Sequence, residues 1–414
     1  MSPRETPSIP TKRSSLLNNP MQIPETLLGG LTPEAFLRDY WQKRPLLIRQ
    51  ALPGFRSHLS GDELAGLSLE PEVESRLVIE KDGERPWQVI HGPQDEAVYG
   101  ELPDNHWTLL VQEVNRHLPE VAELFDLFAF IPAWRLDDIM VSYAEDQGSV
   151  GPHVDNYDVF LLQAEGTRRW QISAQQQVND EDLIPDIEMR IMREFHAEEE
   201  WLLEPGDMLY LPPNVPHYGV AQGECITYSV GFRAPTVQQM WSHYLEYLLQ
   251  HIPDRFYTDP DLQASNHPGR IDGQAMDKVR ELIRVLPTDD ARIDDWFGRF
   301  ITDPVRGVGP EPLDPPLQAE ELRKLLRDGE TLYRSEETRF AYFESPDGPH
   351  LYINGQRVDA PGSTEPELLR LIADRRHYDM DDLSPYLTGP NLDFLMQMCN
   401  QGYLGWLEEI DDGD

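Results

Sequence analysis

Between residues 134 and 235 the chain returns repeatedly to short β-type runs separated by turn signals: DIMVSY, DVFLLQ, RRWQIS, DMLYLP and ITYSVGF. Several short strands at this spacing predict an antiparallel sandwich or barrel. Ahead of them, TPEAFLRDYWQKRPLLIRQAL (32–52) predicts a short helix leading into a strand. Thr32 is its N-cap, Pro33 its first helical position, and Phe36, Tyr40 and Trp41 share one face. The tract 176–204, with its acidic run HAEEEW, breaks the strand pattern and reads as an insertion or loop.

After GFRAPT the period changes. In TVQQMWSHYLEYLLQHI (236–252), Trp241, Tyr244, Leu245, Leu248 and Ile252 recur at helical spacing, giving one apolar face that must bury against something. Helical patterning runs on to about 303, and PEPLDPP (310–316) reads as a linker. Beyond it come an amphipathic helix at 317–327, two β-type runs around the NG of YINGQRV, and helical patterns at 364–376 and 391–400. Helices with one small hairpin predict a winged-helix-like domain.

Composition narrows the function classes. A chain of 414 residues has room for two or three domains. The first residues, to about 21, are polar and rich in Pro and Ser, without the apolar segment of a secretion signal, so a mobile extension and a cytoplasmic protein are expected. No apolar run approaches the ~20 residues a membrane span needs. Only Cys225 and Cys399 are present, without CxxC spacing, which suits a reducing compartment and offers no thiolate metal site. The net charge of −39, from 74 acidic and 35 basic residues, argues against direct nucleic-acid binding, whose affinity comes from Lys and Arg on phosphates. The winged-helix-like segment is itself acidic, with 23 acidic against 9 basic side chains over 311–414. A basic partner is favoured, although acidity that merely keeps the protein soluble stands as an equal alternative.

Three His-x-acid triplets occur, His153/Asp155, His196/Glu198 and His377/Asp379, where chance alone gives about two. His196 lies in an acidic run and His377 in a polar helical tail, and neither has a third ligand nearby. His153 follows the Gly-rich GSVGPH and precedes the buried-strand pattern YDVFLLQ. Residues i and i+2 on a strand face one way, so His153 and Asp155 can address one ion. The third ligand is His217, in EPGDMLYLPPNVPHYGV. The spacing of Gly206, Pro212, Asn214 and His217 resembles the second cupin motif with Asn in the second Gly position, a residue that tolerates left-handed backbone. Two His and one carboxylate leave positions open on a metal, as in non-haem Fe(II) oxygenases. In TRRWQIS, alternation puts Arg168 on the apolar face with Trp170 and Ile172, where a cation needs an anion.

These residues resemble the His-x-Asp…His triad of JmjC-type oxygenases. Together with DYWQKRPLLI, ESRLV, WRLDDIMVSY and YSVGFRAP they resemble the bacterial ribosomal oxygenases, JmjC-type hydroxylases of an arginine in a large-subunit ribosomal protein. The resemblance implies an α+β fold: a double-stranded β-helix (cupin or jelly-roll) JmjC catalytic domain over 22–235, a helical dimerisation segment over 236–310, and a winged-helix-like domain over 311–414. It further implies Fe(II) on His153, Asp155 and His217, and 2-oxoglutarate with its distal carboxylate on Arg168 and the hydroxyl of Ser142. A homodimer, and a basic large-subunit ribosomal protein as substrate, are implied with them. Asp158, close after the ligand loop, is the expected partner for the substrate guanidinium. Two other classes remain open: a cupin metalloenzyme that does not use 2-oxoglutarate and has no need of a buried Arg168, and a non-catalytic acidic interaction protein, for which an intact triad has no purpose.

Overall fold

A computed structural model describes residues 23–80, 87–173, 178–185, 189–254, 256–264, 269–284, 289–304 and 309–406. The extension expected over 1–21 lies outside them. The described chain divides into two compact units, one ending at Ala234 and the other beginning at Pro235. Among the described residues no helix is long and apolar enough to cross a membrane.

The first unit is built on nine strands: β1 (Leu46–Ile48), β2 (Ser75–Glu80), β3 (Trp87–His91), β4 (Trp107–Val111), β5 (Leu136–Ala144), β6 (Val159–Ile172), β7 (Glu199–Leu203), β8 (Met208–Leu211) and β9 (His217–Phe232). They form one sheet in the order β1-β8-β6-β9-β5-β4-β2-β3, with β7 on the far part of β6. Neighbours run antiparallel throughout.

Two expected strands, DVFLLQ and RRWQIS, are the single strand β6. The AEGT between them is not a turn but a pair of register shifts against β9, at Gln163/Glu165 and Glu165/Thr167. Gly166 makes this possible: its φ is 59°, and a side chain there would meet the Glu224 carbonyl oxygen. The tract expected as a loop also contains β7, whose Leu203 pairs with Arg168 and whose Glu199 pairs with Ile172.

Period-2 alternation along β6 separates two environments. Phe160 and Leu162 enter the large core, where Phe36 of the helix Pro33–Asp39 lies 4.9 Å from the Tyr210 ring and Phe128 lies 4.8 Å from Phe160. That helix starts as read, with the Thr32 hydroxyl accepting from the Ala35 N–H at 3.2 Å. Val159, Leu161 and Trp170 face the other way, toward the cavity described below.

In the second unit the helix Val237–His251 begins in a capping box between Thr236 and Gln239. Its expected apolar stripe divides. Tyr244 and Leu248 bury against Trp296 of the helix Asp290–Thr302, whereas Trp241 is 53% and Leu245 42% exposed. Gly298 of the latter helix lies against the Tyr352 ring, on the hairpin Phe340–Ser345/Gly348–Ile353. The NG turn forms as read, with Asn354 at φ 44° and Gly355 at φ 76°. Three further helices, Ala319–Asp328, Pro366–Asp374 and Gly389–Asn400, enclose one core with that hairpin. The stretch expected as a linker is tied down: the Leu313 N–H donates to the Asn400 carbonyl at 3.0 Å, and the Leu317 N–H to the Asn400 side chain at 2.7 Å. His377 is in a two-residue strand rather than a helical tail, and Asp379 caps the helix Met380–Leu383.

Candidate metal and cosubstrate site

Three short pieces of backbone bring the site together. His153 and His217 exchange a reciprocal pair of main-chain hydrogen bonds, His153 N–H to His217 O at 3.0 Å and His217 N–H to His153 O at 2.9 Å. His217 is thereby fixed at the mouth of β9. His153 reaches it from a loop and not from a regular strand, since its pairings among the described residues are isolated bridges. Gly151 turns that loop with φ 80°, where a side chain would stand 3.0 Å from both Ile191 and Trp87. Asn214 occupies the second glycine position of the cupin-like motif with φ 62°, and its N–H donates to the Asp155 carbonyl at 2.7 Å. The departure from the motif is therefore absorbed in a left-handed residue that also holds the Asp155 backbone.

The side chains converge. The Asp155 carboxylate lies 3.5 Å from His217 Nε2 and 3.8 Å from His153 Nε2, and one ligand atom from each of the three residues lies within 4.8 Å of the others. Each imidazole is oriented from behind. Nδ1 of His153 is 2.9 Å from the Gly151 carbonyl and Nδ1 of His217 is 2.9 Å from the Val215 carbonyl. A donor at Nδ1 leaves the Nε2 lone pair pointing at the shared centre, the tautomer a metal needs. Burial, reinforced by the neighbouring His153, pushes His217 down to about 4, so this imidazole is neutral near pH 7. Two neutral nitrogens and one carboxylate on one side of a common point fit a divalent metal with open positions.

Arg168 lies on β6 with Trp170, on the inner face as alternation required. It is 6% exposed. Its Nη1 is 3.5 Å from the Ser142 hydroxyl, its guanidinium is 5.7 Å from the Trp170 ring centre, and its Nε has no hydrogen-bond partner. Among the described residues no carboxylate forms an ion pair with it. A buried, half-satisfied guanidinium is costly unless an anion arrives to share it. The triad, Arg168 and Ser142 all line one cavity of about 300 Å³, large enough for a small dicarboxylate and the end of a side chain.

Asp158 is not in that cavity. It is fully buried on the other side of the loop, accepting from the Tyr210 hydroxyl at 2.6 Å, from Gln42 Nε2 at 2.9 Å and from Arg135 at 3.4 Å. Its carboxylate anchors the loop to the core, and the expected role in holding a guanidinium is corrected accordingly. Besides Asp155, the cavity lining among the described residues includes the acid Asp138, with Met140 and Ser142 at successive alternate positions of β5, and with Tyr157, Gln112 and Arg76 nearby. Alternation back from Ser142 through DIMVSY points to Asp138 and Met140, a signal already present in the sequence. Arg76 and Gln112 sit on or beside β2 and β4, which the strand pattern did not reveal.

Comparison with known proteins follows the same lines. Residues 123–240 match the JmjC domain and residues 284–405 the ROXA-like winged helix, while an AraC-like ligand binding domain match covers 194–294. The chain is 38% identical over 370 residues to the ribosomal protein uL16 3-hydroxylase of Escherichia coli (strain K12), covering 89% of this chain and 96% of that protein. It is 33% identical to a probable ribosomal oxygenase of Haemophilus influenzae, covering 91% and 96%. Among solved structures it is similar to a ribosomal oxygenase from Escherichia coli in complex with cobalt and 2-oxoglutarate, with a TM-score of 0.75 and 36% identity over 91% of this chain and 99% of that one.

Proposed function

Because this chain belongs to the JmjC-type bacterial ribosomal oxygenases, we propose that it is an Fe(II)- and 2-oxoglutarate-dependent hydroxylase acting on an arginine side chain of a large-subunit ribosomal protein. The observation that carries the reading is the buried Arg168 guanidinium, unpaired at Nε, in the same cavity as the His153, Asp155 and His217 cluster. Iron with 2-oxoglutarate and oxygen supplies the oxidising power that turns a substrate C–H into C–OH, as 2-oxoglutarate leaves as succinate and CO2.

The protein's own part is placement. His153, Asp155 and His217 would hold the metal through Nε2, a carboxylate oxygen and Nε2. Arg168 would take the distal carboxylate of 2-oxoglutarate on its planar fork, with the Ser142 hydroxyl beside it. Asp138 would receive the substrate guanidinium, with Met140 and Tyr157 flanking the aliphatic part of the side chain. The acidic chain, including residues 311–414, suits a basic protein substrate and not a phosphate backbone. A cytoplasmic location follows from a ribosomal substrate.

The catalytic domain over 22–235 would be followed by a dimerisation segment over 236–310 and the winged-helix-like domain over 311–414. Support for self-association comes from Val237, Trp241, Leu245 and Leu249, exposed at four-residue spacing on one helix.

The test is mass spectrometry of an Arg-containing fragment of the large-subunit protein, incubated with enzyme, iron, 2-oxoglutarate and air. One added oxygen atom on the arginine is expected, with succinate formed in step. Turnover of 2-oxoglutarate with the fragment unchanged would overturn the substrate; failure to consume 2-oxoglutarate at all would overturn the reaction.

A further inference from the structure

Three residues on neighbouring strands form a line along the cavity wall beyond the metal cluster. Arg76 is on β2, Gln112 directly follows β4, and Asp138 is on β5. Register explains the alignment. Arg76 pairs with Leu110, and Leu110 pairs with Ser142, so Gln112 is diagonal to Arg76 on one side and to Asp138 on the other. All three side chains line the cavity. With its amide turned to satisfy both neighbours, Gln112 donates to Asp138 Oδ2 at 3.0 Å and accepts from Arg76 Nη2 at 2.7 Å. The Glu113 N–H donates to the same Asp138 oxygen at 3.2 Å. The other oxygen, Oδ1, lies 3.2 Å from where a side chain on Gly231 would begin, and Gly231 is itself part of the cavity lining.

We infer that Gln112, held in turn by a hydrogen bond from Arg76, is a positioning residue that fixes the Asp138 carboxylate for a cationic substrate group. Two donors on Oδ2 set the plane of the carboxylate, and at Gly231 no side chain crowds Oδ1. A planar guanidinium discriminates strongly on the orientation of its acceptor, so a carboxylate fixed in plane binds it better than one free to rotate. Arg76 contributes by polarising the Gln112 amide, which strengthens its N–H as a donor. Gln112 stands between the two, so the positive charge supports Asp138 through the amide. The inference rests on the assignment of Asp138 to the substrate guanidinium made above.

The experiment compares the full-length enzyme with Gln112→Met, which preserves volume, and with Asp138→Asn and the double variant. Three quantities are measured: KM for the Arg-containing fragment, kcat, and 2-oxoglutarate affinity without the fragment. Gln112→Met should raise KM about tenfold, the size of one lost hydrogen bond to a charged group. It should leave 2-oxoglutarate affinity as in the wild type, which also shows that the barrel is intact. In the Asp138→Asn background the same change should add nothing, since the residue it positions is gone. An unchanged KM in Gln112→Met, or an equal effect in both backgrounds, overturns the inference. If Asp138→Asn alone leaves KM unchanged, the guanidinium assignment fails instead, and the line of residues loses its target. Should Gln112→Met not fold, Gln112→Leu answers the same question with the same outcomes.

Discussion

Asp155 and Asp158 stand three residues apart in one loop and do different work. Asp155 is partly exposed at the metal cluster and holds nothing in the core, whereas Asp158 is fully buried and accepts from Tyr210, Gln42 and Arg135. Asp155→Ala should therefore abolish iron binding and hydroxylation with little change in thermal unfolding. Asp158→Ala should instead cost several kcal/mol, because a half-buried cation and a buried hydroxyl lose their acceptor. Calorimetry beside metal titration separates them, and unfolding of Asp155→Ala under conditions where Asp158→Ala is stable would reverse the assignment. Arg168→Ala should keep iron and lose 2-oxoglutarate affinity by ten- to a hundredfold, the range of a charge-assisted hydrogen bond; unchanged 2-oxoglutarate binding would remove Arg168 from the site. Residue spacing made the triad legible because the second motif fixes a glycine, a proline and a histidine relative to one another. It could not separate Asp158 from Asp138. Which face of the loop a carboxylate joins depends on Tyr210 and Gln42, distant in sequence and supplied only by tertiary packing.

At the scale of elements, β6 shows where pattern reading stops. Two apolar runs and four small or polar residues between them look like strand, turn, strand, yet the partner β9 runs past the interruption and the chain follows it. A bulge and a turn share composition, and only the partner strand decides between them. The helix Val237–His251 shows the complementary case: its period was plain, and what covers its face was not. Two of the five expected stripe residues, Tyr244 and Leu248, bury within their own unit, while Trp241 and Leu245, with the neighbouring Leu249, are left in solvent. If a second copy covers them, Trp241→Glu should convert a dimer into a monomer in sedimentation at micromolar concentration, while the chemistry of the metal cluster survives. A wild-type monomer at that concentration would refute the dimer outright.

At the scale of the whole molecule, the excess of acid is the property that no single residue or element accounts for. A body of net charge −39 attracts a basic protein over a distance set by salt. That distance is about 10 Å at 0.1 M and about 3 Å at 1 M. Encounter is thus accelerated at low ionic strength, while a guanidinium already seated in a cavity of about 300 Å³ is screened much less. The two stages predict different salt responses. kcat/KM for the ribosomal fragment should fall steadily as salt rises, and kcat should stay nearly level. Replacing the proposed target arginine by lysine should lower turnover at every salt concentration, since lysine keeps the charge that steers but lacks the planar fork that the proposed carboxylate would select. A kcat/KM indifferent to salt would show that the acidity serves solubility and not encounter. Equal use of the lysine fragment would show that the cavity reads charge alone.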